Sequence, residues 1–320
     1  MIGKIIKHQT LMRLFQLGYK SGIIKKRPLI DSKASIQRDY FGGNILSAES
    51  GNDICKKILL SEKPCMLGRI GTVEMGILNA YLLKKAGIIK SLKGERSRLL
   101  CNNAGFFPNE EEYLEKFCEL YIQSAEQLDM MGVFCQHSED LFHHLYAKES
   151  LMAQFTMYEP FYFNHPWSKA LEGKKVLVIH PFEHSILKQY NRREELFENI
   201  EVLPKFDLIT LKAIQTIGDD TQGFEDWFNA LDYMIAKINT IDFDIALVGC
   251  GAYAFPIAAH IKRMGKKSVI TAGATQLLFG IKGKRWDHAE TPVPYRESWI
   301  RPSEQEIPKK ANSVENGCYW

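Results

Sequence analysis

The 320-residue chain has no uninterrupted apolar run of about 18 residues, so it predicts no membrane-crossing helix. It has no Cys-x-x-Cys pair. Its seven cysteines are scattered and odd in number, which argues against a disulfide frame or a zinc site and fits reduced thiols in a cytoplasm. It shows no repeat at solenoid periods. It also lacks a body-wide positive field. Of 41 Lys and Arg, seven lie in the first 30 residues, leaving 34 against 38 acidic residues over the rest, so no nucleic-acid partner is expected. Those first 30 residues contain no Asp or Glu. With 45% hydrophobic and 25% charged residues, the composition is that of a globular protein able to bury a core unaided.

In the N-terminal segment, Lys4, Lys7, Arg13, Lys20, Lys25, Lys26 and Arg27 interleave with Ile2, Ile5, Ile6, Leu11, Met12, Leu14, Phe15 and Leu17. The charges interrupt any signal-peptide core, and no small-residue cleavage site follows. Two readings stand. Residues 1–27 form a basic amphipathic helix on an anionic membrane surface, or a helix packed on the body or on a partner subunit. Pro28 opens a polar stretch. The expected organisation is a basic arm over 1–30, a linker and lead-in helix over 31–60, one main domain over 61–290, and a tail over 291–320. The tail is irregular, pinned at its end by Tyr319–Trp320.

Across the main domain, short apolar runs alternate with helical spacing, which predicts α/β architecture with a Rossmann-like parallel sheet. Strands are expected over 64–70, 129–135, 174–180, 207–214, 243–249 and 266–273. Helices are expected over 72–87, 109–128, 183–199, 224–238, 252–265 and 274–283, the second opened by a capping box from Asn109 to Glu112.

Chemistry concentrates where strands give way to helices. Arg69-Ile-Gly71-Thr72-Val-Glu74 places a guanidinium, a glycine and a first-turn carboxylate at one such junction. That set suits an anion at a helix N-terminus, with Glu74 as base or as ligand of a divalent cation. Gly249-Cys-Gly251-Ala-Tyr253-Ala is a shortened dinucleotide fingerprint. The ribose-binding acid expected about 20 residues on is missing, which lowers NAD, while the same letters resemble the glycine motif of S-adenosylmethionine-dependent methyltransferases. Lys282, Lys284 and Arg285 beside Trp286 suit a diphosphate or a stacked base, with Gln276 just upstream. His180 closes a strand and is a candidate base or ligand. The spacing His180-x-x-Glu183-His184 resembles an inverted zincin motif but starts at a strand end, not inside a helix, so zinc is discounted. Asn102-Asn103-Ala-Gly-Phe-Phe reads as a polar-then-aromatic loop for a sugar or base. Each motif also has a plain structural reading, as a helix cap, a tight packing contact or a solvated helix end.

Together these motifs resemble bacterial glycosyltransferases of the GT-D type, which show Arg-aromatic-Gly-Asp-Gly-Glu after an early strand. Arg69, Gly71 and Glu74 match; Ile70 replaces the aromatic, and Thr72–Val73 stand in place of Asp–Gly. The segments NNAGFFP, PWSKALEGKKVLVIHPFEHSI, ALDYMIAKI, GATQLLFGIKGKRW and VENGCYW resemble a GT-D-like branch among bacterial surface-polysaccharide proteins. The resemblance implies a GT-D-like fold and transfer of a sugar from a nucleoside-diphosphate donor, a UDP-sugar first, to a glycan or lipid-linked acceptor near the inner membrane face. Joined with the strand-end motifs above, it gives catalytic Glu74, Arg69 and His180 as the expectation, with nucleotide contacts from Gly71, Thr72, Asn102, Asn103, Gly249, Gly251, Tyr253, Gln276, Lys282, Lys284 and Arg285. Mn2+ or Mg2+ would rest on Glu74 alone, because the Asp-x-Glu pair lacks its Asp. A methyltransferase and a non-catalytic nucleotide-sugar binder are the alternatives.

Overall fold

The computed structural model describes residues 1–20, 36–39, 41–218, 220–287 and 293–320. In chain order its elements are α1 (Ile2–Lys20), β1 (Ile36–Arg38), β2 (Asn44–Leu46), α2 (Ala48–Leu60), β3 (Cys65–Gly68), α3 (Thr72–Lys85), α4 (Glu95–Ala104), α5 (Glu111–Ala125), β4 (Met130–Val133), α6 (Glu139–Tyr146) and β5 (Leu151–Gln154). They continue with β6 (Lys175–His180), α7 (Glu183–Tyr190), β7 (Asp207–Lys212), α8 (Trp227–Ile238), β8 (Ile245–Val248), α9 (Ala254–Arg263), β9 (Lys267–Ile270) and α10 (Ala274–Leu278). Among the described residues no helix is long and apolar enough to cross a membrane.

The strands form one sheet in the order β1-β2-β5-β4-β3-β9-β8-β6-β7. β1 is antiparallel to β2 and every other neighbouring pair is parallel, with Leu67 opposite Val269 and Val178 opposite Leu247. The central strands carry apolar side chains on both faces, which is why they read as continuous runs. Leu177 and Ile179 enter the core shared with α3, α5, α8 and α9, while Val176 and Val178 enter the core shared with α2, α10 and the C-terminal tail. That alternation is the two-residue period of a strand. Trp227 and Trp167 anchor the two cores, both fully buried.

The expected strands all form, with narrower bounds. Four helical expectations change. The predicted helix 183–199 stops at Tyr190, because Leu196 and Phe197 turn into the core, where Leu196 accepts the Trp299 indole N–H at 2.8 Å. The box at Asn109 does not form: Glu110 is the N-cap, and the first turn is instead tied by Glu111, which accepts the Leu92 N–H at 2.9 Å. The last predicted helix shortens to α10, since Gly280 has φ +64°. Finally, Asn102 and Asn103 are not in a loop but in the last turn of α4, which Gly105 ends at φ +74°.

Gly105 is sterically required. A Cβ there would lie 2.6 Å from the Thr216 carbonyl oxygen, in a backbone region that L residues avoid. Gly105→Ala should cost about 1–3 kcal/mol, read as a lower urea midpoint at unchanged m-value.

Among its described residues the tail is irregular with two 3-10 turns, Glu304–Glu306 and Ala311–Ser313, and it is pinned: Trp299, Val314 and Trp320 are buried in the second core. The arm is helical over Ile2–Lys20 and packs on the body through His8, whose Nε2 meets Asp140 at 2.9 Å, and Gln9, which donates to Asn79 and Ser138 at 2.8 Å each.

Candidate functional site

Eight parallel strands bring their carboxyl ends to one edge of the sheet, with β3 and β9 side by side near its middle. Ligand sites in open α/β sheets lie outside the carboxyl ends of the strands. A cavity of about 550 Å³ opens there. It gathers Arg69 and Gly71–Glu74 after β3, Phe134 after β4, Glu159 after β5, His180 from β6, Gln215–Ile217 after β7, Gly249–Gly251 after β8, and Ala272–Gly273 after β9. Asn103, Gln276, Arg285 and the tail residues Glu315, Tyr319 and Trp320 complete the wall.

Arg69 sits at the centre. Its guanidinium lies 4.6 Å from the centroid of the Phe134 ring, which stacks on Phe155 at 4.0 Å. It makes no salt bridge among the described residues, and burial lowers its pKa while Tyr319, Glu74 and Glu159 act in the opposite sense. An arginine stays charged even so. It is therefore a half-buried cation whose hydrogen-bonding fork is available to a ligand.

Two carboxylates share its field. Glu74, 8% exposed, folds back toward Gly71 in the first turn of α3, and a Cβ on Gly71 would collide with it. Burial raises its pKa against its own backbone N–H and Arg69. Gly71 is the N-cap of α3 and has no side chain with which to cap the helix; Glu74 takes its own backbone N–H, and those of Thr72 and Val73 are left to a ligand. Glu159 lies between two 3-10 turns after β5, and burial lifts its pKa to about 7, opposed by Arg69.

His180 lines the same cavity, buried, with its pKa pushed down to about 3 by burial. Its Nδ1 accepts the Phe182 N–H at 3.0 Å, so the neutral ring keeps its proton on Nε2. In this arrangement its Nε2–H is a donor available to a ligand, and the ring does not take up a proton. The two glycines of the 249–251 motif act differently. A Cβ on Gly249 would meet His180 Cδ2 at 2.8 Å, whereas Gly251 has open space and a φ of +59°.

The remaining sequence candidates separate. Thr72, Asn103, Tyr253, Gln276 and Arg285 reach the cavity; Asn102, Lys282 and Lys284 do not line it. Asn102 ties α4 to the tail by donating to the Ser313 carbonyl at 2.8 Å. Lys282 stands 5.3 Å from the Tyr295 ring centroid and Lys284 is exposed. Tyr253 stacks on Trp227 at 4.7 Å and its hydroxyl meets Thr216 at 2.7 Å, a wall position. Gln276 donates to the Tyr319 carbonyl at 3.2 Å and so holds the tail over the cavity. Arg285 pairs with Glu315 and donates to the Tyr319 hydroxyl at 2.9 Å.

Sequence reading overlooked Glu159, Phe134, Phe155, Glu315 and Gln215. Glu159 sits in the aromatic stretch FTMYEPFYF, where a lone acid flanked by buried rings was the available signal.

The cavity does not fit a protein-held metal centre. Thr72 stands where a second acid would be needed, Glu74 is turned onto its own helix, and among the described residues no three His, Cys, Asp or Glu group as ligands.

No protein-family model and no curated protein matches the chain. Two solved structures are similar to it, both of a domain of unknown function 1792, one in selenomethionine form and one described as having a distinct glycosyltransferase fold. Each shares 10% identity, covers 82% of this chain and 92% of its own, and superposes with a TM-score of 0.44.

Proposed function

We propose that the chain is a glycosyltransferase that takes a sugar from a nucleoside diphosphate, a UDP-sugar first among donors, and delivers it to a hydroxyl of a glycan or lipid-linked acceptor. The observation that carries this reading is Arg69: a half-buried cation without a salt-bridge partner among the described residues, beside the N-terminus of α3, with buried Glu74 and half-buried Glu159 on the same cavity. A diphosphate suits that combination, since helix N–H groups and an arginine fork both complement its oxygens. The Arg-x-Gly-x-x-Glu pattern shared with GT-D-type enzymes points the same way.

In this reading the acceptor oxygen attacks the anomeric carbon as the bond from that carbon to the diphosphate oxygen breaks. The diphosphate leaves with the bonding electrons, held by Arg69, the first turn of α3 and the Nε2–H of His180. Glu159, with a pKa of about 7, takes the acceptor proton. Glu74 orients the donor sugar and keeps Arg69 in place. Arg285 closes the wall with the tail.

Thermal unfolding with UDP, GDP, CMP and S-adenosylmethionine, each with and without Mn2+, tests it. A ligand at about 100 times its Kd adds ~2.7 kcal/mol, and UDP is expected to raise Tm without needing Mn2+. A shift with S-adenosylmethionine alone would favour a methyltransferase and sink this reading. The missing acid at position 72 favours a second reading, a nucleotide-sugar binder without turnover. It predicts the UDP shift with no donor hydrolysis or transfer.

A further inference from the structure

α1 is turned inside out relative to an ordinary surface helix, which buries its apolar stripe and wets its polar one. Its inward side carries Ile5 and Met12 but is fastened by polar groups: buried His8 against Asp140, and Gln9 against Asn79 and Ser138. Its outward side leaves Ile2, Ile6, Leu14 and Leu17 exposed, Leu17 at 66%. Lys7 and Arg13 are exposed with them. At 3.6 residues per turn these six positions fall within a sector of about 140°, and no acid occurs anywhere in residues 1–30.

We propose that this outward face of α1 docks the protein onto an anionic lipid surface, the helix lying in the plane of the headgroups. Charge complementarity selects the occupant. Aliphatic side chains with flanking cations and no anions match a negatively charged interface, where the aliphatics reach the acyl boundary and each cation near the surface adds attraction. A second copy of the chain fits less well. It would set Lys7 and Arg13 against their own counterparts. A helix face about 28 Å long and 10 Å wide also falls short of the ~800 Å² per partner of a stable protein interface. The inward polar fastening serves the same end, because it holds the helix to the body while keeping the aliphatic side outward. This docking is independent of the reaction proposed above.

The test is co-sedimentation of the full chain with vesicles of phosphatidylcholine alone and with about one-third phosphatidylglycerol. The protein is expected on the anionic vesicles and absent from the neutral ones, with binding lost as salt rises. Leu14→Ser with Leu17→Ser, and separately Lys7→Gln with Arg13→Gln, should each weaken binding about tenfold at unchanged Tm, because these side chains face solvent. Failure to bind anionic vesicles overturns the proposal, as does equal binding to neutral ones or binding indifferent to the Leu14 and Leu17 changes. A dimer by light scattering that becomes a monomer on Leu14→Ser with Leu17→Ser would assign the face to a second copy instead.

Discussion

Arg69→Ala is expected to weaken UDP binding and to lower turnover by about a hundredfold or more, the scale seen when one preorganised donor to a developing anion is removed. Its effect on folding should run the other way. The guanidinium is half-buried on an aromatic platform and has no salt bridge among the described residues, so the field of Glu74 and Glu159 offsets only part of what its burial costs. Taking away a cation in that position leaves stability unchanged or raises it. Arg69→Lys should recover little, since an ammonium supplies neither the planar fork nor the stacking on Phe134. Calorimetric titration with UDP beside thermal unfolding separates the two effects. A variant that binds UDP normally, or one that fails to bind only because it is unfolded, would remove Arg69 from the site.

The pH dependence of turnover is the second large expectation. If Glu159 takes the acceptor proton, kcat/KM rises through about pH 7 as its carboxyl ionises. Glu159→Gln removes that limb and costs about 10²–10⁴ in rate. Stability carries the opposite sign. Burial holds the folded carboxyl's pKa above the ordinary 4.5, so the folded state binds the proton more tightly than the unfolded chain. The stability this provides is full below pH 4.5 and is lost as pH rises through about 7. Glu139 is an internal control. It is buried at the start of α6, accepts the Phe134 N–H at 3.0 Å, and also titrates at about 7 because of burial, yet it does not line the cavity. It should contribute to the fall in stability and leave the activity limb untouched. Glu74→Gln should lower turnover sharply and leave the limb in the residual activity; a limb that disappears with Glu74 and survives in Glu159→Gln would exchange their roles.

Much of the framework was legible because period and burial agree. Strands buried on both faces must be apolar at every position, so LVIH at the end of β6 and IALVG around β8 announce themselves. The junction from Arg69 to Glu74 was legible for a related reason: a glycine between a strand and a helix, with an arginine before it and a glutamate after it, is local chemistry. The helix ends were less so. Tyr190, Asn109 and Gly280 end or fail to start helices because distant residues take their neighbours, as Trp299 takes the Leu196 carbonyl and the chain returns at Gly280 to meet Gln189, which donates to its carbonyl at 2.9 Å.

Sequence alone determined the class of the fold, the strand-end positions of the chemistry, the loss of the second acid at position 72, and the all-positive arm, since each is written in nearest neighbours or in composition. Tertiary structure decided which of those positions share a cavity. It placed Glu159 beside Arg69 from about 90 residues away and left Lys282 and Lys284 outside the cavity. It brought the last residues of the chain over the site and turned the aliphatic side of α1 outward. The physical reason is that convergence at a sheet edge depends on strand order, and β3 meets β9 only because the chain crosses over between them. Period and propensity act within a turn or two of helix, and strand order is set by contacts between segments far apart in the chain.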